Sequence, residues 1–221
     1  MRDNLDITFY LIRHAETDRN IPPQSELIGQ SSEEPINQNG IEQSKKLSAR
    51  FKKEGIIFDT IYCSPYLRAK QTCNFISEVM PKNISIITVP EIREINQGDG
   101  KNKSRTEVYS KEFKEKWDFL GMASAFPNGE SLFDVQFRAW KWLEKEVLSN
   151  PYTRSDKPLN IALITHGMTI KVLLHAIMNF DHRLTWKIRT DNTSIAKVKF
   201  VNNEWHLYSI NDTAHLQGEI K

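Results

Sequence analysis

Two short apolar runs, Thr8-Phe-Tyr-Leu-Ile12 and Ile161-Ala-Leu-Ile164, constrain this chain most. Each is too short to make a helix of its own and shows no polar alternation, which is how a strand covered on both faces reads. A strand covered on both faces needs helices on either side of its sheet, and the segments after the two runs supply them. Asn37-Gln-Asn-Gly40 leads into a helical pattern with Ile41, Ser44, Leu47 and Phe51 on one face, and residues 168–178 form another. Phe58–Tyr62 and Ile84–Val89 are further strand candidates. Between them, Ser64-Pro65 reads as an N-cap with proline at the first helical position, opening a helix that carries Leu67, Thr72, Phe75, Ile76 and Val79 and stops before Pro81. Residues 131–148 have helical periodicity, and Phe133, Phe137, Trp140 and Trp142 on it are read as core. Residues 194–201 and 204–210, joined by Asn202-Asn203, read as a hairpin. The stretch 93–128 reads as loop with a short helix, and 150–158 as a polar loop. The expected fold is a three-layer α/β sandwich with a largely parallel central sheet flanked by helices and a terminal antiparallel hairpin. A single domain over 1–221 is expected.

Charge and composition narrow the partners. The 30 basic and 28 acidic residues leave a net charge of only +2, with no block of one sign, so an anion site must be a local pocket and nucleic acid is not an expected partner. No segment approaches membrane-spanning length, so no membrane association is expected, and residues 1–6 lack the apolar run of a secretory leader. The two cysteines, Cys63 and Cys73, suit a reducing compartment, and a cytoplasmic location is expected. The six histidines and two cysteines form no paired-ligand motif, so neither a metal nor a cofactor is expected.

The two apolar runs end alike, in Arg13-His14 and in Thr165-His166-Gly167. In a parallel sheet the strand C-termini share one edge, where ligand crevices form, so both histidines and the Ser64–Arg68 turn should meet in one pocket. Any one of these residues alone is more often structural: a hydrogen-bonded histidine or a surface arginine. Their coincidence at strand ends is what points to a site.

At these residues the sequence resembles the histidine phosphatase superfamily, the phosphoglycerate-mutase-like group. Arg13-His14-Ala-Glu-Thr17 resembles its Arg-His-Gly motif, and Ser64-Pro-Tyr-Leu-Arg68-Ala-Lys-Gln-Thr72 its second motif. Glu91-Ile-Arg-Glu94-Ile-Asn-Gln-Gly98, Pro127-Asn-Gly-Glu-Ser131, Thr165-His166-Gly167 and Asn211–Leu216 match in the same order, so the resemblance spans nearly the whole chain. It implies His14 as the nucleophile that takes the phosphoryl group, Arg13 and Arg68 as forked phosphate ligands, and Asn20 as a phosphate-contacting amide. His166, with Gly167 after it, would contribute a donor and, when protonated, a charge. Glu94 would be the general acid, with Glu91 and, more weakly, Asp99 as competitors for that role. Glu16 either orients the site or caps the following helix. The sequence departs from the family at Ala15, which should not touch the chemistry, in the stretch 22–36, which lacks the sequence of true mutases, and after Gly98, where Asp99-Gly-Lys-Asn replaces the usual continuation on the substrate side of the pocket.

The expected function is therefore hydrolysis of a small phosphorylated metabolite through a phosphohistidine, with a homodimer left open. Two alternatives stand beside it: a phosphoglycerate-type mutase, and a non-catalytic phosphate-binding or adaptor protein on the same fold. A cysteine phosphatase does not fit, because four residues rather than five separate Cys63 from Arg68.

Overall fold

The computed structural model describes residues 5–29, 31–153 and 157–217. Residues 1–4, where a leader was considered, and 154–156 of the polar loop lie outside the described residues, as does position 30 within the stretch 22–36. In chain order the elements are β1 (Asp6–Arg13), α1 (Gln38–Lys53), β2 (Thr60–Cys63), α2 (Leu67–Ser77), β3 (Ser85–Thr88), α3 (Arg105–Val108), α4 (Lys111–Leu120), α5 (Leu132–Trp142), β4 (Leu159–Thr165), α6 (Gly167–Met178), β5 (Ile195–Val201) and β6 (Glu204–Asp212). One six-stranded sheet runs in the order β3-β2-β4-β1-β5-β6. The β3-β2-β4-β1 part is parallel, and β5 and β6 are antiparallel additions at the β1 side.

Alternation along β1 divides the core. Phe9 and Leu11 pack on the side of α5 and α6, with Ala139, Trp142, Ile170, Leu173 and Leu174. Tyr10 and Ile12 pack on the other side with Leu47 and Phe51 of α1 and Ala69, Cys73 and Ile76 of α2. Successive side chains of a strand point to opposite faces, so an uninterrupted apolar run requires both layers. The three-layer arrangement follows from that run.

Local chemistry sets the ends of the elements. Asn37 caps α1 by accepting the Gly40 N–H at 2.8 Å. Gly40 is there because a β-carbon would lie 2.2 Å from the Glu16 carbonyl oxygen, where the helix start presses on the segment after β1. Ser131 and Asp134 cap α5 reciprocally. The hairpin turn places Asn202 and Asn203 at φ of 52° and 67°, the left-handed pair that a two-residue hairpin turn demands.

Three expectations need correction. Ser64 does not cap α2, which starts at Leu67 with Tyr66 as its N-cap, because the Ser64 hydroxyl is bound to His166 instead. Phe58 is buried but precedes β2, which starts at Thr60. Phe133 and Phe137 are not core, being 57% and 60% exposed. The stripe that α5 buries is Leu132, Val135, Ala139 and Trp142, and the two phenylalanines, four apart, share the opposite face.

Candidate active site

Chain order brings the site together at the C-terminal edge of the parallel strands. β1 and β4 are neighbours with Arg13 opposite Thr165, so His14 and His166 follow side by side, and their ring centroids are 5.2 Å apart. The His14 N–H donates to the Thr165 carbonyl at 2.9 Å, and its own carbonyl accepts from Asn192 Nδ2 at 3.0 Å. Its ring Nδ1 lies 2.7 Å from the Ala15 carbonyl. A carbonyl only accepts, so Nδ1 carries the proton and Nε2 keeps its lone pair. Burial, then Arg68 and Arg13, hold the His14 pKa well below the usual imidazole value, which keeps the ring neutral and Nε2 nucleophilic.

Arg13 and Arg68 flank this ring. Arg13 donates from Nη1 to the Thr190 carbonyl at 2.7 Å, and Arg68, 1% exposed, from Nη1 to the Ser31 carbonyl at 2.8 Å. The Nε of each is buried without an acceptor. Burial pushes the Arg68 pKa down to about 10, with Arg13 acting the same way against Glu94 and Tyr66, so it stays charged at neutral pH. Thr72 ties α2 to the turn after His14 by accepting the Ala15 N–H at 2.9 Å while donating to the Arg68 carbonyl at 2.7 Å.

His166 lies fully buried beside His14. Its Nε2 is 2.7 Å from the Ser64 hydroxyl, and its Nδ1 is buried without a partner. Burial and then Arg68 lower its pKa, and the cationic form expected for it is the one beside a bound dianion. The Ser64 hydroxyl can donate to this nitrogen or accept from it, so the contact holds the ring's orientation.

Glu94 reaches the same cavity from the stretch between β3 and α3. Its carboxylate accepts the N–H of Ile95 at 3.0 Å and of Met168 at 3.3 Å. Its competitors are absent from the cavity wall: Glu91 does not line it, and Asp99 is engaged with the Asn128 amide. A partly buried ion network holds the stretch. Glu130 accepts the Asn96 N–H at 2.9 Å, Arg93 at 2.8 Å and Arg138 Nε at 2.8 Å, while Arg138 also donates to the carbonyls of Glu91 and Glu94. Gly98 completes the fit at φ +50°, where a β-carbon would sit 2.2 Å from the Pro127 carbonyl.

The remaining expected residues divide. Asn20 lines the cavity, and its Oδ1 is engaged by Thr17 and Asn192, which leaves its amide nitrogen for a ligand. Gly167 opens α6 on the wall, close against Thr190. Glu16 also lines the cavity and accepts the side-chain amides of Asn37 and Asn39 at 3.1 Å each. It thus braces the start of α1 without capping it through backbone N–H groups. Sequence reasoning missed the tasks of Ser64, Thr72, Glu130 and Arg138. Thr72 and Glu130 lay inside quoted motifs without a position-specific role, and Ser64 was read as a helix cap. Thr190 contributes a backbone carbonyl, for which no side-chain pattern exists.

Comparison with known proteins gives the family and the fold. The family model of the histidine phosphatase superfamily (branch 1) matches residues 9–213. The chain is 29% identical over 216 residues, 94% of each chain, to a probable phosphoglycerate mutase GpmB of Yersinia pestis (strain Pestoides F). Among solved structures it resembles a phosphoserine phosphatase from Entamoeba histolytica in complex with 3-phosphoglyceric acid (TM-score 0.79, 22% identity, 95% of this chain and 99% of that one). It also resembles the alpha-ribazole phosphatase from Shigella flexneri (TM-score 0.75, 20% identity, 93% and 96%). At these identities the two structures speak for the fold.

Proposed function

The chain belongs to the histidine phosphatase superfamily, branch 1, and from that premise we propose that it hydrolyses phosphomonoesters of small metabolites through a phosphohistidine at His14. The observation that carries the reading is the state of His14: a neutral ring, with its Nδ1 proton held by Ala15, between the half-buried Arg13 and the buried Arg68. Arg13 Nε and Arg68 Nε are buried donors without acceptors, and a phosphate brings oxygens in forked geometry to such donors. In the first step His14 Nε2 bonds to phosphorus as the ester P–O bond breaks, and the leaving oxygen takes a proton from Glu94. In the second, Glu94 takes a proton from water as its oxygen attacks phosphorus, releasing phosphate and restoring His14. Most of the catalysis lies in positioning and charge neutralisation, which Arg13, Arg68, His166 and Asn20 would supply.

Rapid quenching with labelled p-nitrophenyl phosphate tests this. An acid-labile, alkali-stable phosphoenzyme should accumulate or be trapped in wild type, and His14→Ala should lose both the label and several orders of magnitude in kcat. Ordinary turnover by His14→Ala would overturn the reading. The relative named as a probable phosphoglycerate mutase supports a second reading, in which the same phosphoenzyme returns its group to an isomeric acceptor. Release of inorganic phosphate from phosphoglycerates without isomerised product separates hydrolysis from that transfer.

A further inference from the structure

The cavity that holds the site is larger and more basic than a phosphate group needs. Its volume is about 720 Å³, within the roughly 300–1,000 Å³ of pockets that take whole drug-sized ligands. Six cationic side chains line it (Arg13, Arg19, Arg68, Arg105, Lys171, Arg189) against three carboxylates (Glu16, Glu94, Asp191). That surplus of three exceeds the net +2 of the entire chain. Arg189 is neutralised by Asp191 at 3.0 Å, and Arg13 and Arg68 are the phosphate pair already described. Glu16 is engaged by asparagine amides and Glu94 by backbone N–H groups.

Three cations therefore remain without a carboxylate in contact among the described residues. Arg19 is held at Nη2 by oxygens that carry no charge: the Gly29 carbonyl at 2.8 Å, the Ile28 carbonyl at 3.4 Å and Asn102 Oδ1 at 3.1 Å. Arg105, at the start of α3, donates from Nε to the Ser25 carbonyl at 2.7 Å. One segment, 25–29, thus fixes both guanidiniums at the cavity by its carbonyls. Lys171, on α6, is half-buried, a position that costs an ammonium unless an anion meets it. Tyr109 and Trp186 line the cavity as well, edge to face with centroids 6.0 Å apart, and give it an aromatic wall.

We propose that the substrate is a phosphomonoester carrying a second anionic group, carboxylate or phosphate, which Arg19, Arg105 and Lys171 bind in this cavity. The proposal rests on the phosphate end lying at Arg13 and Arg68. A dianionic phosphate between those two leaves the other three to face whatever else the substrate carries. Long-range attraction to the basic cavity grows with total charge but fades with added salt, whereas contacts of a second anionic group with Arg19, Arg105 and Lys171 persist. A binding site distinguishes substrates by the second group.

The test uses matched pairs and needs no turnover. Binding to the full-length His14→Ala chain is measured by calorimetry for phosphoserine against phosphoethanolamine, for 3-phosphoglycerate against glycerol phosphate, and for fructose 1,6-bisphosphate against fructose 6-phosphate. The doubly anionic member should bind roughly 10–100-fold tighter in at least one pair, the usual worth of hydrogen bonds to charged groups. The first two pairs report a carboxylate and the third a phosphate. Adding Arg19→Gln with Arg105→Gln, or Lys171→Met, should bring the ratio towards one, and Arg19→Lys with Arg105→Lys should restore part of it. Equal affinities within all three pairs would refute the subsite, as would variants that weaken both members equally. Because the readout is binding, a failure of the phosphohistidine reading in the quench experiment leaves this result standing on its own.

Discussion

His14 and His166 sit fully buried beside two arginines, and both are held below the ordinary imidazole value by burial first and Arg68 second. In the unfolded chain each titrates near 6.5. As pH falls through that value the unfolded chain binds protons that the folded one refuses, so the unfolded state gains. The stability is fully present above pH 6.5 and is lost progressively below it, down to the folded pKa values. The slope is at most about 1.4 kcal/mol per pH unit for each histidine. Urea unfolding in phosphate-free buffer at pH 7, 6 and 5 should show this decline, and His14→Gln should make it shallower. Superimposable pH dependences of wild type and variant would contradict the assignment. The clustering of Arg13, His14, Arg68 and His166 was legible because each sits at a strand end or a helix start, positions that pattern identifies. Ser64, Thr72 and the Thr190 carbonyl were not, since their tasks consist of holding another residue at 2.7–2.9 Å across the fold.

Among the elements, the stretch from Arg93 to Gly100 differs in kind from the strands. It has only a short 3-10 turn of its own at Gly98–Gly100, and it is held from outside by Glu130 and Arg138. Burial works against the Glu130 charge, yet the bonds from Arg138 and Asn96 and the nearby Arg93 bring its pKa below the ordinary value. Glu130→Gln should cost about 1–3 kcal/mol in unfolding free energy, as expected for a hydrogen bond to a charged group. It should also loosen Glu94. A misplaced acid matters for an alkoxide leaving group and little for nitrophenolate. The kcat/KM for an alkyl phosphate should therefore fall at least tenfold further than that for p-nitrophenyl phosphate, out of the roughly 10²–10⁴-fold that general acid catalysis supplies. Equal losses on both substrates would make Glu130 a structural residue only. The strands were legible because a run apolar at every position states its own burial. This stretch was not, because Gly98 against Pro127 and Asn96 against Glu130 are contacts between distant segments, which leave no period. Periodicity alone likewise misplaced Phe133 and Phe137: α5 shows helical spacing, but only packing decides which stripe faces inward.

Across the whole molecule, β4 and β1 lie at the centre of the sheet, paired on both sides, and β3 forms an edge with Ile86 and Ile87 nearly half exposed. No helix among the described residues is long and apolar enough to cross a membrane. Local opening begins where backbone bonds are few and exposed, and the central strands of a sheet open last. Native-state hydrogen exchange should find the amides of Phe9 to Ile12 and Ile161 to Ile164 exchanging only through global unfolding. Those of 93–100 and of α3 should exchange at a lower free energy; equal protection in the two groups would refute the division. His14 follows β1 and His166 follows β4, whereas Glu94 rides on the stretch that Glu130 and Arg138 hold. The proposed nucleophile and proton donor should then belong to different cooperative units. Under mild urea the protein should pass through a population that still dephosphorylates activated esters but has lost its hold on ordinary alcohols, so that chemical selectivity erodes before catalysis does.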